Sequence, residues 1–368
     1  MKIIFDHQIF IPQRYDGISR YFYEISNRIA EYPDCTVEIF APIYQTEYFG
    51  KDCRVRPLGI KASLSRIMQG VVRVVSNGLS RMFVTPRHDV DIFHETYYGM
   101  ADNCPSSAKR VITVYDMIHE KFAQQIDQRG RVEKIKAQVI RRADHVICIS
   151  ENTRRDLIEL VGVPEEKTTV VYLGYSLVPK LGVVKPALVQ KPYILFVGKR
   201  GMYKNFEGLI RAYGSSLILK NGYSIVCFGD NGFTKREMSL MRSLEIAPNQ
   251  VIHISGDDDV LAGLYTAAAV FVYPSLYEGF GIPPLEAMSF GCPVACSNTS
   301  SLPEVVGNAA ELFDPADETA MRKAIEYVVS SSTRSSTLIE LGYERCKQFS
   351  WEKCATETLN VYKQVLQG

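Results

Sequence analysis

The densest run of chemistry-bearing residues in the sequence is Tyr273-Pro-Ser-Leu-Tyr-Glu-Gly-Phe-Gly-Ile-Pro-Pro-Leu-Glu286. An apolar β-branched run ends at Tyr273, and a helix is predicted to open near Pro283–Pro284, where proline is tolerated in the first turn. Gly279 and Gly281 let a ligand approach the backbone closely, and the following helix N-terminus favours an anion. Glu278 and Glu286 bracket the turn, and carboxylates accept hydrogen bonds from sugar hydroxyls. A phosphate-plus-sugar ligand would use both features. The competing reading is a capped turn with two solvated glutamates. A second stretch, Gly198-Lys-Arg-Gly-Met-Tyr-Lys-Asn205, repeats the strand–loop–helix pattern. Lys199, Arg200 and Lys204 at a strand's carboxyl end suit a diphosphate, because charge-assisted bonds to phosphate are strong and arginine binds it in bidentate fashion. Two such loops in one half of the chain make coincidence less convincing than either loop alone.

Two weaker signals lie in the first half. Asp16-Gly-Ile-Ser-Arg20 opens a predicted helix and puts Gly17 where a phosphate can meet the helix N-terminus. Thr113-Val-Tyr-Asp-Met-Ile-His119-Glu120 puts Asp116 at a strand end, a common catalytic position in open α/β sheets, with His119 close behind. His94 follows Asp91-Ile-Phe and is read as lining the same cleft. No spacing of His88, His94 and His119 matches a metal site, and Asp257–Asp259 reads as a helix N-cap, so no metal is predicted.

Forty-two Lys+Arg balance forty-one Asp+Glu, for a net charge of +1, which argues against a nucleic-acid binder. Between Asp52 and Asp89 the balance fails locally. Residues 53–88 contain no acid and carry Arg54, Arg56, Lys61, Arg66, Arg73, Arg81 and Arg87. Ile67, Met68, Val71, Val72, Val74, Val75, Leu79 and Met82 recur there at helical spacing. Such a segment either packs its apolar face on the domain or lies on an anionic lipid surface. The nine cysteines include no CxxC pair, and several, such as Cys148 and Cys227 inside apolar runs, read as small core residues of a reducing compartment. No apolar run approaches a membrane span, and Asp6 interrupts the stretch a signal peptide needs. The expected location is cytoplasmic, with peripheral contact at the inner membrane face.

Positioning these loops requires strands. Candidates are Lys2–Phe5, Val37–Phe40, Arg110–Val114, His145–Ile149, Thr169–Tyr172, Tyr193–Val197, Ser224–Phe228, Val251–Ile254, Val270–Tyr273 and Pro293–Cys296. Amphipathic stretches such as Ile18–Ala30, Val132–Arg142, Thr153–Val161 and Phe206–Tyr213 separate them. Strands alternating with helices mean βαβ units and parallel sheets. Ten strands exceed one comfortable doubly wound sheet. The expected division is a first domain over 1–178, a linker over 179–191, a second domain over 192–350, and a helix over 351–368 returning to the first domain. No P-loop, complete dinucleotide fingerprint or GxSxG elbow is present.

Taken together, EGFGIPPLEAM, VGKRGMYKNF, GCPVACSNTSSLPEVVGNAAELFDP and FSWEK resemble glycosyltransferase family 4. In the first half, DGISRYFYEIS, DIFHETYYG, TVYDMIHE and ISENTRRDLIE resemble its bacterial polysaccharide-assembly members, many of them mannosyltransferase-like. The resemblance implies an α/β GT-B fold: two Rossmann-like, doubly wound domains facing across a cleft and closing over a donor. It implies a retaining, metal-independent hexosyltransferase acting from a nucleotide diphosphate sugar, GDP-linked rather than UDP-linked, on a surface polysaccharide or lipid-linked glycan. By the resemblance, Arg200 and Lys204, with Lys199, hold the diphosphate. Glu286 takes the ribose hydroxyls, and Glu278 lies by the donor sugar as nucleophile or orienting group. Gly279, Phe280 and Gly281 offer backbone amides, Gly17 lies against the phosphates, and Glu304 supports the nucleotide side. Asp116 is placed as acid/base, and His94, His119, Arg66 and Arg73 on the acceptor side. Tyr115 and Asp16 depart from the family pattern, which commonly has histidine and glycine there. Two alternatives stay open: an epimerase or phosphorylase of the same fold, and a non-catalytic sugar-nucleotide-binding assembly protein.

Overall fold

The computed structural model describes residues 1–12, 17–50, 53–123, 130–179, 192–229 and 231–368. Met1–Gly174 with Trp351–Gly368 form one compact unit, and Tyr175–Ser350 form a second. Apart from Pro179, the expected linker over 179–191 lies outside the described residues, as does Asp16. Among the described residues, no helix is long and apolar enough to cross a membrane.

The first unit contains β1 (Lys2–Phe5), β2 (Thr36–Ile39), a small parallel pair β3 (Ile43–Tyr44) and β4 (Ile60–Lys61), then β5 (Ile92–Glu95), β6 (Lys109–Val114), β7 (His145–Cys148) and β8 (Thr168–Val170). Six of them form a parallel sheet in the order β2-β1-β5-β6-β7-β8. The order reverses at β1, which has β2 on one side and all later strands on the other. Such a switch point opens a crevice at the strands' carboxyl ends.

β5 is absent from the strands read in the sequence. Its four residues offer only Ile92 and Phe93 as apolar markers, yet it occupies the sheet interior between β1 and β6. That placement corrects the reading of His94 as a cleft residue. His94 is wholly buried, with Nδ1 2.6 Å from the Tyr362 hydroxyl and Nε2 3.0 Å from Thr113 Oγ1. Both ring nitrogens are engaged inside the core, and burial pushes its pKa down to about 3. Tyr362 belongs to the helix Trp351–Gln367, which also sets Trp351 6.3 Å from the ring of Tyr21 and pairs Glu352 with Arg28 at 2.9 Å.

Helix α1 (Gly17–Ile29) buries Tyr21, Phe22, Ile25 and Ile29 against the sheet. Helix α2 (Arg66–Phe83) behaves differently. Ser65 caps it by accepting from the Met68 amide, but only Val72, Ser76 and Ser80 are buried. Ile67 is 85% exposed, Val74 72%, Met82 65% and Val71 61%. Small residues therefore face the domain, and the large apolar side chains face outward.

The second unit contains β9 (Tyr193–Val197), β10 (Ser224–Phe228), β11 (Val251–Ile254), β12 (Val270–Tyr273), β13 (Val294–Ser297) and β14 (Ala310–Phe313). All are parallel, in the order β11-β10-β9-β12-β13-β14. The near-continuous apolar runs YILFV and VFVY are buried throughout, as strands covered on both faces require. β14, also missed in the sequence, closes one edge. Here the order reverses at β9, between β10 and β12.

Candidate active site

The two strongest sequence signals meet at this reversal. The loop carrying Lys199–Lys204 leaves β9, and the loop carrying Glu278–Gly281 leaves β12, which pairs directly with β9. Both loops therefore begin at the carboxyl ends of the strands flanking the switch point, the usual ligand crevice of such sheets. They are joined by a buried ion pair. Lys204 Nζ donates to Glu278 Oε1 at 2.6 Å and to the Tyr273 hydroxyl at 2.9 Å. The side chains of Lys204 and Glu278 are only 17% and 10% exposed. The Leu276 amide also donates to the Tyr203 carbonyl at 2.6 Å.

A third loop, after β13, braces the glutamate. The Glu278 amide donates to Ser300 Oγ at 2.9 Å, while Ser301 Oγ donates to the carbonyls of Glu278 and Phe280 at 2.9 and 2.8 Å. Among the described residues, four non-glycine residues have positive φ, and three of them, Met202, Asn205 and Ser300, lie in these loops. Held strain of this kind concentrates at functional sites. Gly281 has φ +111°, and a Cβ there would lie 2.7 Å from Leu302 Cδ2, so the turn into the helix Ile282–Ser289 requires glycine. Phe280 is buried edge-on against Phe349 at 5.7 Å. Gly279 is buried too.

Glu286 lies on that helix and is 9% exposed, with the Tyr265 hydroxyl 3.4 Å from its Oε2. Burial and the adjacent carboxylate hold the Tyr265 phenol well above its ordinary pKa, so it stays a neutral donor. Glu304 is half-buried in the short helix Leu302–Val306, its carbonyl accepting from Arg345.

The three cations of the β9 loop have different environments. Lys199 is exposed and, among the described residues, forms no ion pair. Arg200 is 7% exposed, and two of its three guanidinium nitrogens are engaged by the protein. Nε donates to Glu237 Oε1 at 2.9 Å, and Nη2 donates to the carbonyls of Asn231 and Gly232 at 2.5 and 3.0 Å. Its carbon lies 4.9 Å from the Phe233 ring and 5.8 Å from that of Phe206. Glu237 in turn completes a capping box with Thr234. Arg200 thus ties the β9 loop to a neighbouring helix start.

The remaining predicted residues belong to the first unit. Asp116 follows β6, and its Oδ1 accepts from the Ile118 amide at 3.0 Å. Gly17 opens α1 with open space around it. Arg66 and Arg73 are exposed on α2, and His119 is half-buried beyond β6. Sequence reasoning missed Tyr273, Tyr265, Ser300 and Ser301. The serine pair stands in the quoted SNTSSLPEVVG stretch, but nothing local marks it as the brace of Glu278. Among the described residues, no group of three or more His, Cys, Asp or Glu is disposed to hold a metal ion.

Two doubly wound parallel sheets, one with cationic and carboxylate loops at its switch point, define an α/β fold with a charged crevice at its strand ends. Known proteins narrow the class. Residues 15–177 match the model of "Glycosyltransferase Family 4", and residues 184–345 that of "Glycosyl transferases group 1". The O-antigen chain mannosyltransferase B of Escherichia coli is 32% identical over 73% of this chain and 74% of its own length. The O-antigen chain mannosyltransferase RfbU of Salmonella typhimurium is 29% identical over 61% of this chain and 62% of its own. In structure, the sucrose-phosphate synthase of Thermosynechococcus elongatus superposes with a TM-score of 0.78 at 20% identity, covering 100% of this chain and 99% of that one. A glycosyltransferase from Rickettsia africae gives 0.69 at 18%, with the same coverage. The chain belongs to glycosyltransferase family 4: it is a glycosyltransferase of the GT-B fold.

Proposed function

We propose that this glycosyltransferase moves a mannose-like hexosyl group from a nucleotide diphosphate sugar, GDP-linked in preference to UDP-linked, to a growing surface polysaccharide or lipid-linked glycan, with retention. The observation that carries the reading is the Lys204–Glu278 pair at the switch point of the second sheet. Lys204 balances the charge that develops on the departing diphosphate, and exposed Lys199 adds a second cation. Preorganised charge of this kind is commonly the largest catalytic contribution, and here it takes the place of a metal. Glu278, fixed by Ser300 and Ser301, faces the donor sugar, and Glu286 takes the ribose hydroxyls. Asp116 serves on the acceptor side. Arg200 does not contact phosphate in this scheme; it positions the β9 loop that carries both lysines.

The mannosyl and O-antigen parts of the reading come from the names of the similar E. coli and Salmonella proteins. The exposed apolar face of α2, within a segment free of acids over residues 53–88, supports peripheral contact with an anionic membrane. A thermal-shift screen of nucleoside diphosphates tests the donor. A ligand at 100 times its Kd adds about 2.7 kcal/mol, so GDP should raise the melting temperature and UDP should not. Transfer from GDP-mannose that persists in chelator, with the anomeric configuration retained, completes the test. Turnover of UDP-sugars alone would overturn the donor assignment.

A further inference from the structure

The first sheet has its own switch point, between β1 and β5, and a cavity of about 530 Å³ opens there. Its walls come from the loops after β1, β5 and β6, from α2 and from the helix Arg131–Arg142. Among the described residues, three basic side chains line it: Arg73 from α2, Arg131 and His119. Among the described residues, none that lines the cavity is acidic, and neither arginine has an ion-pair or hydrogen-bond partner. Apolar Val132, Ile135 and Met100 share the remaining wall with Gln8, Asn77 and two tyrosines, and 59%-exposed Met100 joins the cavity to the surface.

The walls are fixed before any ligand arrives. Arg142 donates to the carbonyls of Gly99, Met100 and Ala101 at 3.0, 3.4 and 3.2 Å and pairs with buried Glu95 at 2.5 Å, clamping the loop after β5. Wholly buried Lys136 stands 5.3 Å from the Tyr98 ring, pairs with Glu120 at 3.0 Å and donates to the Asp116 carbonyl at 2.5 Å. Tyr98 is a lining residue, so this network holds one wall rigid and joins it to Asp116. A rigid, partly apolar cavity with unspent cations calls for an anion attached to an apolar group.

We infer that this cavity binds the phosphate of a phosphorylated lipid, held by Arg73 and Arg131, with the lipid chain leaving past Met100 toward the exposed face of α2. The inference rests on the proposed function, because it makes the cavity the anchor of a lipid-linked acceptor.

Calorimetry on the full chain tests it with octyl phosphate below its micellar concentration, inorganic phosphate and octanol. Octyl phosphate should bind, inorganic phosphate should bind about tenfold more weakly, and octanol should give no heat, since both parts of the ligand contribute. Arg73→Gln and Arg131→Gln should each weaken octyl phosphate binding about tenfold, the loss of one charge-assisted contact. Nucleoside diphosphate affinity and melting temperature should not change. Arg131 is not on α2, so its variant should also keep wild-type binding to anionic vesicles. Octyl phosphate binding no tighter than inorganic phosphate, or unchanged in both variants, would overturn the inference. So would a loss of vesicle binding in Arg131→Gln, which would make that arginine part of a surface. Any of these results alongside intact sugar transfer would remove the lipid-phosphate site and leave the glycosyltransferase reading standing.

Discussion

Arg200→Ala separates two meanings of a buried cation. If the guanidinium held the donor, its loss would cost affinity and leave the fold intact. The structure indicates the reverse. The arginine side chain is 3% exposed and that of Glu237 9%. Truncation removes the pair, strips the donor from the Asn231 and Gly232 carbonyls, and takes away the cation set against two phenyl rings. Glu237 keeps the Thr234 amide, 2.6 Å away, as a donor, but its carboxylate loses the cation. Breaking a buried pair in this way costs about 3–5 kcal/mol, roughly a fifth or more of a typical domain's stability. For a unit of this size that lowers the melting temperature by roughly 6–20 °C. Differential scanning calorimetry reads the shift. Replacing both partners, Arg200→Met with Glu237→Leu, should recover most of it, because a buried ion pair exchanged for apolar packing is often neutral. The double variant should also retain nucleoside diphosphate affinity. A melting temperature within 2 °C of wild type in Arg200→Ala, coupled to more than about 30-fold weaker nucleotide binding, a loss of 2 kcal/mol, would refute this account and return the arginine to the phosphates.

Lys204→Ala should lower turnover at least about 30-fold, since losing one partner of a buried charged contact costs roughly 2–5 kcal/mol; activity within threefold of wild type would sink the diphosphate role. Glu286→Gln should weaken nucleotide binding, whereas Glu278→Gln should lower turnover with binding kept, and calorimetry showing the opposite pattern would exchange their roles. Binding to anionic vesicles should fade as salt rises, each basic group contributing about 1 kcal/mol within a Debye length. Val71→Ser with Val74→Ser should abolish it, and indifference of the wild type to such vesicles at low salt would make the α2 face irrelevant to membranes. His94 should impose acid sensitivity. Its pKa is depressed to about 3 by burial, so below about 6.5 the unfolded chain binds the proton that the folded chain refuses. Stability should therefore fall as pH drops from 6.5 toward 4, by roughly 1.4 kcal/mol per unit, and urea melts of His94→Gln should show a shallower fall.

Much of this architecture is legible in the chain because parallel strands are short, β-branched and apolar on both faces. Runs such as Tyr193–Val197 and Val270–Tyr273 announce themselves, and the loops that follow them inherit a position at the sheet's carboxyl edge. β5 did not announce itself, because two of its four residues are polar and find their partners only in the folded core, 19 and 268 positions away for His94. Arg200 poses the same problem in one side chain. A basic loop is visible locally, but the carboxylate that captures one of its cations lies 37 residues on. The periodicity of α2 shows that the helix is amphipathic without showing which side faces the domain. Ser76 and Ser80 decide that, Ser80 Oγ lying 3.4 Å from buried His7 Nδ1, and no hydropathy pattern would select serines as the inward face.

The helix Trp351–Gln367 makes the order of synthesis differ from the order of completion. The first unit's core includes Trp351, Cys354, Leu359 and Tyr362, all buried, yet the ribosome reaches them only after every residue of the second unit has been made. Until then His94 lacks its tyrosine partner, Arg28 lacks Glu352, and Tyr21 lacks the Trp351 ring. Domains generally fold as units during synthesis. Here the second unit has all its parts first, and the earlier-made half waits as an open, apolar-faced intermediate, the species that chaperones bind. Chains released before residue 351 should therefore fail in the half of the molecule farthest from the truncation.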